Sequence, residues 1–425
     1  GKVLASLPEV SIGFSISALF RGLIAPNRLE VQGLSATVER GGDGKFVLGF
    51  FARSDSVADK EFVNRIPAYI TLLSKPGDPS SVFGYLDSVQ ISDVDIRYLD
   101  RPNGGEWHSP DSDIELLRGD EGMEAIASMA LDFGDRSTQL RAHAVFAPER
   151  PVVDIGIEFD KLFPSDFAER IAQLRQFEKI NLPLSGQIRV LAQHSGTVNS
   201  VAFDVKGAGG SVAGNVIFDA NQDYDVTMNI AGLRATTLAN LLPQVSTMGQ
   251  LDTLLDVRAS GRIGPGGQVR RLELETRGGA GTFRLEKVLP EPIEFESFTF
   301  KANIRNGFDG ASIKSGSVDF GGPKLAFEIS ANRIGDIMRA RIDAKLRDLE
   351  MAELSRYWPV NIGTSARRWT TQNIRTGKVD EGKLGLVLEL PVDNLLNPII
   401  QSTTGTLEYS GLDVSYFEAF PKVTG

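Results

Sequence analysis

A short amphipathic helix that leads into a fresh run of strands recurs three times in this chain. Repetition of this kind decides the fold class before any single residue does. The copies begin near Leu162, Leu233 and Leu346, reading Lys161-Leu162-Phe163-Pro164-Ser165-Asp166, Gly232-Leu233-Arg234-Ala235-Thr236-Thr237 and Lys345-Leu346-Arg347-Asp348-Leu349-Glu350. Each runs on to a Gly-x-Ile/Val triplet: Gly186-Gln187-Ile188, Gly261-Arg262-Ile263 and Gly377-Lys378-Val379. The pattern predicts a repetitive β body rather than a compact enzyme. It divides the chain into N-terminal β modules over 1–157 and helix-plus-strand repeats over 158–230, 231–343 and 344–425.

Between the helices, apolar and polar residues alternate with a period of two, which makes strands apolar on one face only. Val201, Phe203 and Val205 alternate with Ala202 and Asp204; Phe298 and Phe300 with Thr299 and Lys301; Leu384, Leu386, Leu388 and Leu390 form a longer series. Hairpin signals separate the strands, among them Gly42-Asp43-Gly44, Asn103-Gly104-Gly105, Asn306-Gly307 and Gly321-Gly322. Two smaller duplications fit the same scheme. Leu34, Ala36, Val38 and Arg40 correspond to Val94, Ile96, Tyr98 and Asp100, and Val198, Leu272's counterpart Val201, and Gly207 correspond to Val269, Leu272 and Gly278. The expected fold is mainly β, a long twisted antiparallel repetitive sheet with a few short amphipathic helices. Helix starts are expected at Asp166 (with Glu169, and Phe167, Ile171, Leu174 and Phe177 on one stripe), at Thr236 or Thr237, and at Asp348, with a weaker helix over 59–73. Val10, Ile12, Phe14 and Ile16 alternate with small residues and predict a strand through Ile16.

With 425 residues, 41% hydrophobic and 24% charged, the chain can bury a core. A net charge of -10 speaks against general nucleic-acid binding, which needs a basic face. The lack of cysteine excludes disulfides, thiol catalysis and cysteine-ligated metals.

The stretch Tyr357-Trp358-Pro359, Ala366-Arg367-Arg368-Trp369, Asn373-Ile374 and Gly377-Lys378-Val379 resembles the central region of AsmA-like proteins of the YhdP type. Arg21-Gly22-Leu23-Ile24-Ala25-Pro26-Asn27-Arg28-Leu29 and the following Glu39-Arg40 resemble that family's opening modules. The resemblance implies a sheet curled into a β-taco-like trough that conducts phospholipid acyl chains across the periplasm. It also implies an inner-membrane anchor, missing from the sequence as given, and outer-membrane or envelope proteins as partners.

For such use the inward wall would be Val201, Phe203, Val205, Val216, Phe218, Val226, Met228, Ile230, Leu272, Leu274, Phe298, Phe300, Phe320, Leu325, Phe327 and Ile329, with Asp204, Glu273, Glu275 and Lys301 facing water. The same side chains would equally form the dry core of β-sandwiches, since half-buried strands read alike in both. A non-enzymatic assembly factor is the rival function. Arg367, Arg368 and Trp369 are candidate headgroup contacts, an arginine pair beside an aromatic, or else a helix packed by its tryptophan.

Little else in the sequence carries chemistry. His108, His143 and His194 lie far apart, with no carboxylate at a catalytic or metal-ligand spacing. Asp93/Asp95 and Asp111/Asp113 lack the remainder of a calcium loop. Gly207-Ala208-Gly209-Gly210 and Gly278-Gly279-Ala280-Gly281 open onto no helical pattern and read as turns. No metal, cofactor or catalytic residue is expected.

Overall fold

The computed structural model describes residues 9–42, 46–52, 73, 75–102, 104–119, 122–147, 149–150, 152–168, 175, 178, 181–193, 197–207, 209–221, 223–241, 248–285, 289, 291–307, 309–360, 363–393, 398–415 and 423–424. The protein is mainly β, with few short helices, and its strands form open sheet that does not close into a barrel. The chain divides into two compact units, Gly1–Ala208 and Gly209–Gly425. The expected helix over 59–73 lies, but for Leu73, outside the described residues.

Unit 1 contains β1 (Glu9–Phe14), α1 (Ile16–Leu19), β2 (Pro26–Gln32), β3 (Leu34–Arg40), β4 (Phe46–Ala52), β5 (Ser88–Ser92), β6 (Asp95–Asp100), β7 (Gly105–Ser109), β8 (Ser112–Gly119), β9 (Gly122–Asp132), β10 (Ser137–Phe146), β11 (Val152–Leu162), α2 (Pro164–Ala168), β12 (Leu184–Gln193) and β13 (Val198–Gly207). From β8 to β13 each strand pairs antiparallel with the next. The sheet is mixed rather than wholly antiparallel: β2 runs parallel to β5 and β3 parallel to β6. The duplication visible in the sequence is the cause. Leu34 to Arg40 and Val94 to Asp100 are two copies of one bent strand pair lying side by side in the same direction, so Ala36 meets Ile96, Val38 meets Tyr98 and Arg40 meets Asp100. Their aliphatic residues form the unit's main core with Leu29, Val31, Val89, Ile91 and Leu116. The first strand ends at Phe14 rather than Ile16, because the Ser15 side chain accepts a hydrogen bond from the Ala18 amide and starts α1.

Unit 2 contains β14 (Gly210–Phe218), β15 (Tyr224–Arg234), α3 (Ala235–Leu241), β16 (Leu251–Asp252), β17 (Leu254–Gly264), β18 (Gln268–Gly278), β19 (Gly281–Phe283), β20 (Ile293–Phe295), β21 (Ser297–Arg305), β22 (Gly310–Asp319), β23 (Lys324–Ile334), β24 (Ile337–Glu350), α4 (Leu354–Tyr357), α5 (Thr364–Asn373), β25 (Ile374–Pro391), β26 (Ile399–Val414) and β27 (Val423–Thr424). Here every pairing is antiparallel, in the order β14-β15-β17-β18-β21-β22-β23-β24-β25-β26-β27. A separate three-stranded sheet joins β16, β19 and β20.

The repeated helix entries share one backbone device. A residue with left-handed φ (Lys161 at 54°, Gly232 at 67°, Asp348 at 59°) is followed by an inward leucine: Leu162, Leu233, Leu349. The chain then turns into helical structure, and the returning strand pairs with that leucine through Leu184, Leu255 or Val379. Gly33-Leu34 and Asp93-Val94 bend the duplicated strands in the same way, and Leu34 and Val94 are wholly buried. The third copy therefore aligns at Leu349, not Leu346. Both leucines belong to one apolar cluster, so apolar spacing alone does not choose between them; the left-handed residue does. For the same reason the glycines of the Gly-x-Ile/Val triplets fall at unequal distances from the returning partners and are not equivalent positions.

A non-glycine residue held at positive φ costs about 1 kcal/mol. Lys161 is exposed, so Lys161→Gly is expected to raise stability by about 0.5–1 kcal/mol in chemical denaturation. No gain would mean that the corner is not strained.

Candidate apolar binding face

Register carries the apolar residues of unit 2 into rows that cross the strands. In one row, Val212, Ile230, Val257, Thr276, Phe300, Gly316, Phe327, Ala344, Leu384 and Gly405 are successive cross-strand partners from β14 to β26. The next row runs Gly214, Met228, Ala259, Leu274, Ala302, Ile313, Ile329, Ile342, Leu386 and Thr403. Cross-strand partners share a face, so these rows make one continuous surface that contains no charged side chain. Flanking rows add Val226, Leu272 and Ile304 on one side and Phe298, Val318, Leu325 and Leu346 on the other.

Bulges keep this face apolar where the sequence loses its period. Register shifts in β18 around Arg270, in β22 between Ile313 and Gly316, and in β26 near Gln401 each absorb an extra residue, after which the apolar positions return to the same side. Aromatic rings lie over glycines on this face. The Phe298 ring covers Gly278 and the Phe327 ring covers Gly316, leaving no room for a Cβ at either. Phe298 and Phe300 stack with centroids 6.1 Å apart. The wall is thus smooth, with large side chains laid over small ones.

Burial varies over this face. At the corner end, Ala235 and Leu238 of α3 close over Ile230, Leu255 and Val257, and Ala235 and Leu255 are 0% exposed. The Thr253 hydroxyl latches this corner by donating to the carbonyl oxygens of Gly279 and Ala280 at 3.0 and 3.1 Å. Elsewhere, among the described residues, cover is uneven: Phe300, Leu325, Phe327 and Ile329 are only half-buried, Leu384 is 42% exposed and Leu407 65%, while Ala340, Leu386 and Leu388 form a second buried cluster beside Ile342.

Of the expected wall residues in unit 2, Met228, Leu272, Leu274, Phe298, Phe300, Leu325, Phe327 and Ile329 stand on this face, with Val216 beside Val226. Ile230 stands there too but is sealed under α3. Phe218 sits at the rim, 41% exposed, against Tyr224, and Phe320 lies in the β22–β23 turn against the Tyr357 ring at 5.1 Å. In unit 1, Val201, Phe203 and Val205 share a face with Val190, Ile188 and Gly186 of β12. Sequence reasoning missed Ala259, Ile304, Ile342 and Leu384. Alanines carry little periodic signal, and the leucine series in β25 shows a strand without showing which side it faces.

The opposite face is polar. Asn229, Arg258, Glu275 and Lys301 are cross-strand neighbours, and the Lys301 ammonium lies 3.7 Å from the Glu275 carboxylate. Behind the open wall, Glu381 accepts from Lys345 at 2.6 Å, Lys383 at 2.9 Å and Arg347 at 3.1 Å. These bonds, that from Lys345 foremost, bring its carboxyl from the ordinary 4.5 to about 2. A depressed folded-state value stabilises the protein above pH 4.5, and that contribution disappears as pH falls toward 2. Glu381→Gln is accordingly expected to flatten the acid limb of the stability profile between pH 4.5 and 2 and to lower Tm at neutral pH. An unchanged acid limb would refute the assignment.

The arginine–tryptophan group lies on α5. Arg367 donates to the carbonyl oxygens of Trp358 at 3.1 Å and Ser355 at 3.0 Å, closing the end of α4. Arg368 is exposed and Trp369 is 41% exposed. His108 lies 3.1 Å from the Asp95 carboxylate and His143 2.7 Å from that of Glu124; His194 is outside the described residues. Among the described residues no group of three or more His, Asp or Glu is placed to hold a metal, and no helix is long and apolar enough to cross a membrane. Comparison with protein-family models, with curated proteins and with solved structures returns no match.

Proposed function

We propose that this protein is a non-enzymatic lipid-binding module whose apolar rows take up the acyl chains of phospholipid. The observation that carries the reading is the charge-free face of unit 2, on which Phe300, Leu325, Phe327 and Ile329 are only half-buried and Leu384 is 42% exposed. A sheet with one apolar face must cover it or fill it. An acyl chain laid along the rows contributes about 0.8 kcal/mol per buried methylene, which retains a two-chain lipid against water. Because neighbouring positions on the wall are of similar character, a chain can slide without a large barrier, and no bond needs to be made or broken. The AsmA-like resemblance extends the proposal to a trough that moves phospholipid between inner and outer membranes in the periplasm, anchored at the inner membrane.

A second reading, an assembly factor for outer-membrane biogenesis, is favoured by β26. Among the described residues its outer edge pairs only at Asp413 and Val414, with β27. Such an edge is a template for another strand.

Site-specific photocrosslinking tests the lipid reading. A photoreactive side chain at Phe203, Phe300 or Phe327 should capture lipid, while one at Glu273 or Lys301 should not. Equal capture from both sets would refute it.

A further inference from the structure

The polar face of unit 2 carries an arrangement that lipid-chain binding does not use. Arg262, Arg271 and Arg305 are direct cross-strand partners on β17, β18 and β21. Like charges placed opposite one another destabilise a sheet, so an unbroken row of three needs a compensating anion. Arg262 has its own: Asp219, and Asp223 and Asp225 at 3.3 Å each. Arg271 and Arg305 do not. Both are exposed, and among the described residues no carboxylate lies within ion-pair distance of either. Glu273, the next residue on that face of β18, forms no ion pair with them. Arg270, extruded by the bulge in β18, adds a third guanidinium at the same end, 3.9 Å from Asp223, which Arg262 already shares.

We infer that Arg271 and Arg305, with Arg270 beside them, form a binding site for a phosphate-class anion at the hairpin end of the polar face. Two guanidinium forks on adjacent strands, whose Cα atoms stand about 5 Å apart, suit bidentate contacts to the oxygens of one tetrahedral anion. The anion offsets the repulsion among the arginines of the row. The site lies on the face opposite the apolar rows, so it stands or falls independently of the lipid-chain reading. A phosphate group can come from a free ion or from a lipid headgroup.

The test measures the Tm of the full chain while inorganic phosphate replaces chloride at constant ionic strength, for wild type, Arg271→Gln/Arg305→Gln and Arg277→Gln. Phosphate should raise the wild-type and Arg277→Gln Tm, since Arg277 is already paired with Glu275. The double variant should start at or above the wild-type Tm in chloride and bind phosphate at least tenfold more weakly. If the double variant does not fold, Arg271→Lys/Arg305→Lys keeps the charge and loses the fork, and should bind several-fold more weakly than wild type. Equal phosphate responses in wild type and the Arg271/Arg305 variants, or no wild-type response, overturn the site. Co-flotation with phosphatidylglycerol vesicles that phosphate competes away and the double variant loses identifies a headgroup as the source. A phosphate response without flotation identifies a free anion.

Discussion

Leu255→Ala is expected to lower the stability of the protein by about 2–5 kcal/mol, whereas Phe327→Ala, which removes a larger side chain, should cost no more than about 1–2 kcal/mol. The difference comes from what covers each residue. Leu255 is 0% exposed, enclosed by Ile230, Val257 and the α3 residues Ala235 and Leu238, so truncation leaves a cavity. Phe327 lies on the same apolar face but is half-buried over Gly316, and its removal leaves a shallower wall with no void. Urea denaturation followed by circular dichroism measures both. If Phe327→Ala loses as much as Leu255→Ala, the face is sealed throughout and has no room for a guest.

The second large effect is functional. Phe327→Asp places a carboxylate between Gly316 and Ala344, in the middle of a row that is otherwise free of charge. An acyl chain crossing that position would have to strip the carboxylate of water, at about 2 kcal/mol or more, and lipid retention should fall at least tenfold. Stability should change little, because solvent reaches the site in the free protein. Loss of folding instead of loss of lipid would assign Phe327 to a closed core.

Much of this was legible from residue order. The period-two alternation placed Phe298, Phe300, Leu325 and Phe327 on one face, and the repeated leucine entries located the helical corners. What the sequence did not show was set by backbone geometry. Matching Lys345-Leu346 to Lys161-Leu162 reads the third repeat three residues early; Asp348, a residue type that enters the left-handed region more readily than lysine, takes that conformation instead. Parallel pairing of β3 with β6 follows from the duplicated copies lying side by side, a choice that strand periodicity does not encode. Bulges at Arg270 and Gln401 break the period locally, hiding that Val269 and Ile400 stay on the apolar face. The sealing of Ile230 beneath α3, while Ile329 in the neighbouring row stays half-open, depends on a helix distant in sequence from β23. Arg367 is another such case: as one of an adjacent arginine pair it reads as a headgroup contact, yet the break between α4 and α5 turns its guanidinium onto two backbone carbonyls.

The most direct measurement is solvent extraction of the purified chain followed by lipid mass spectrometry. The account predicts phospholipid at a stoichiometric level, reduced in Phe327→Asp and unchanged in Lys301→Gln on the opposite face. Extracts of folded wild-type protein holding no lipid above background would contradict it.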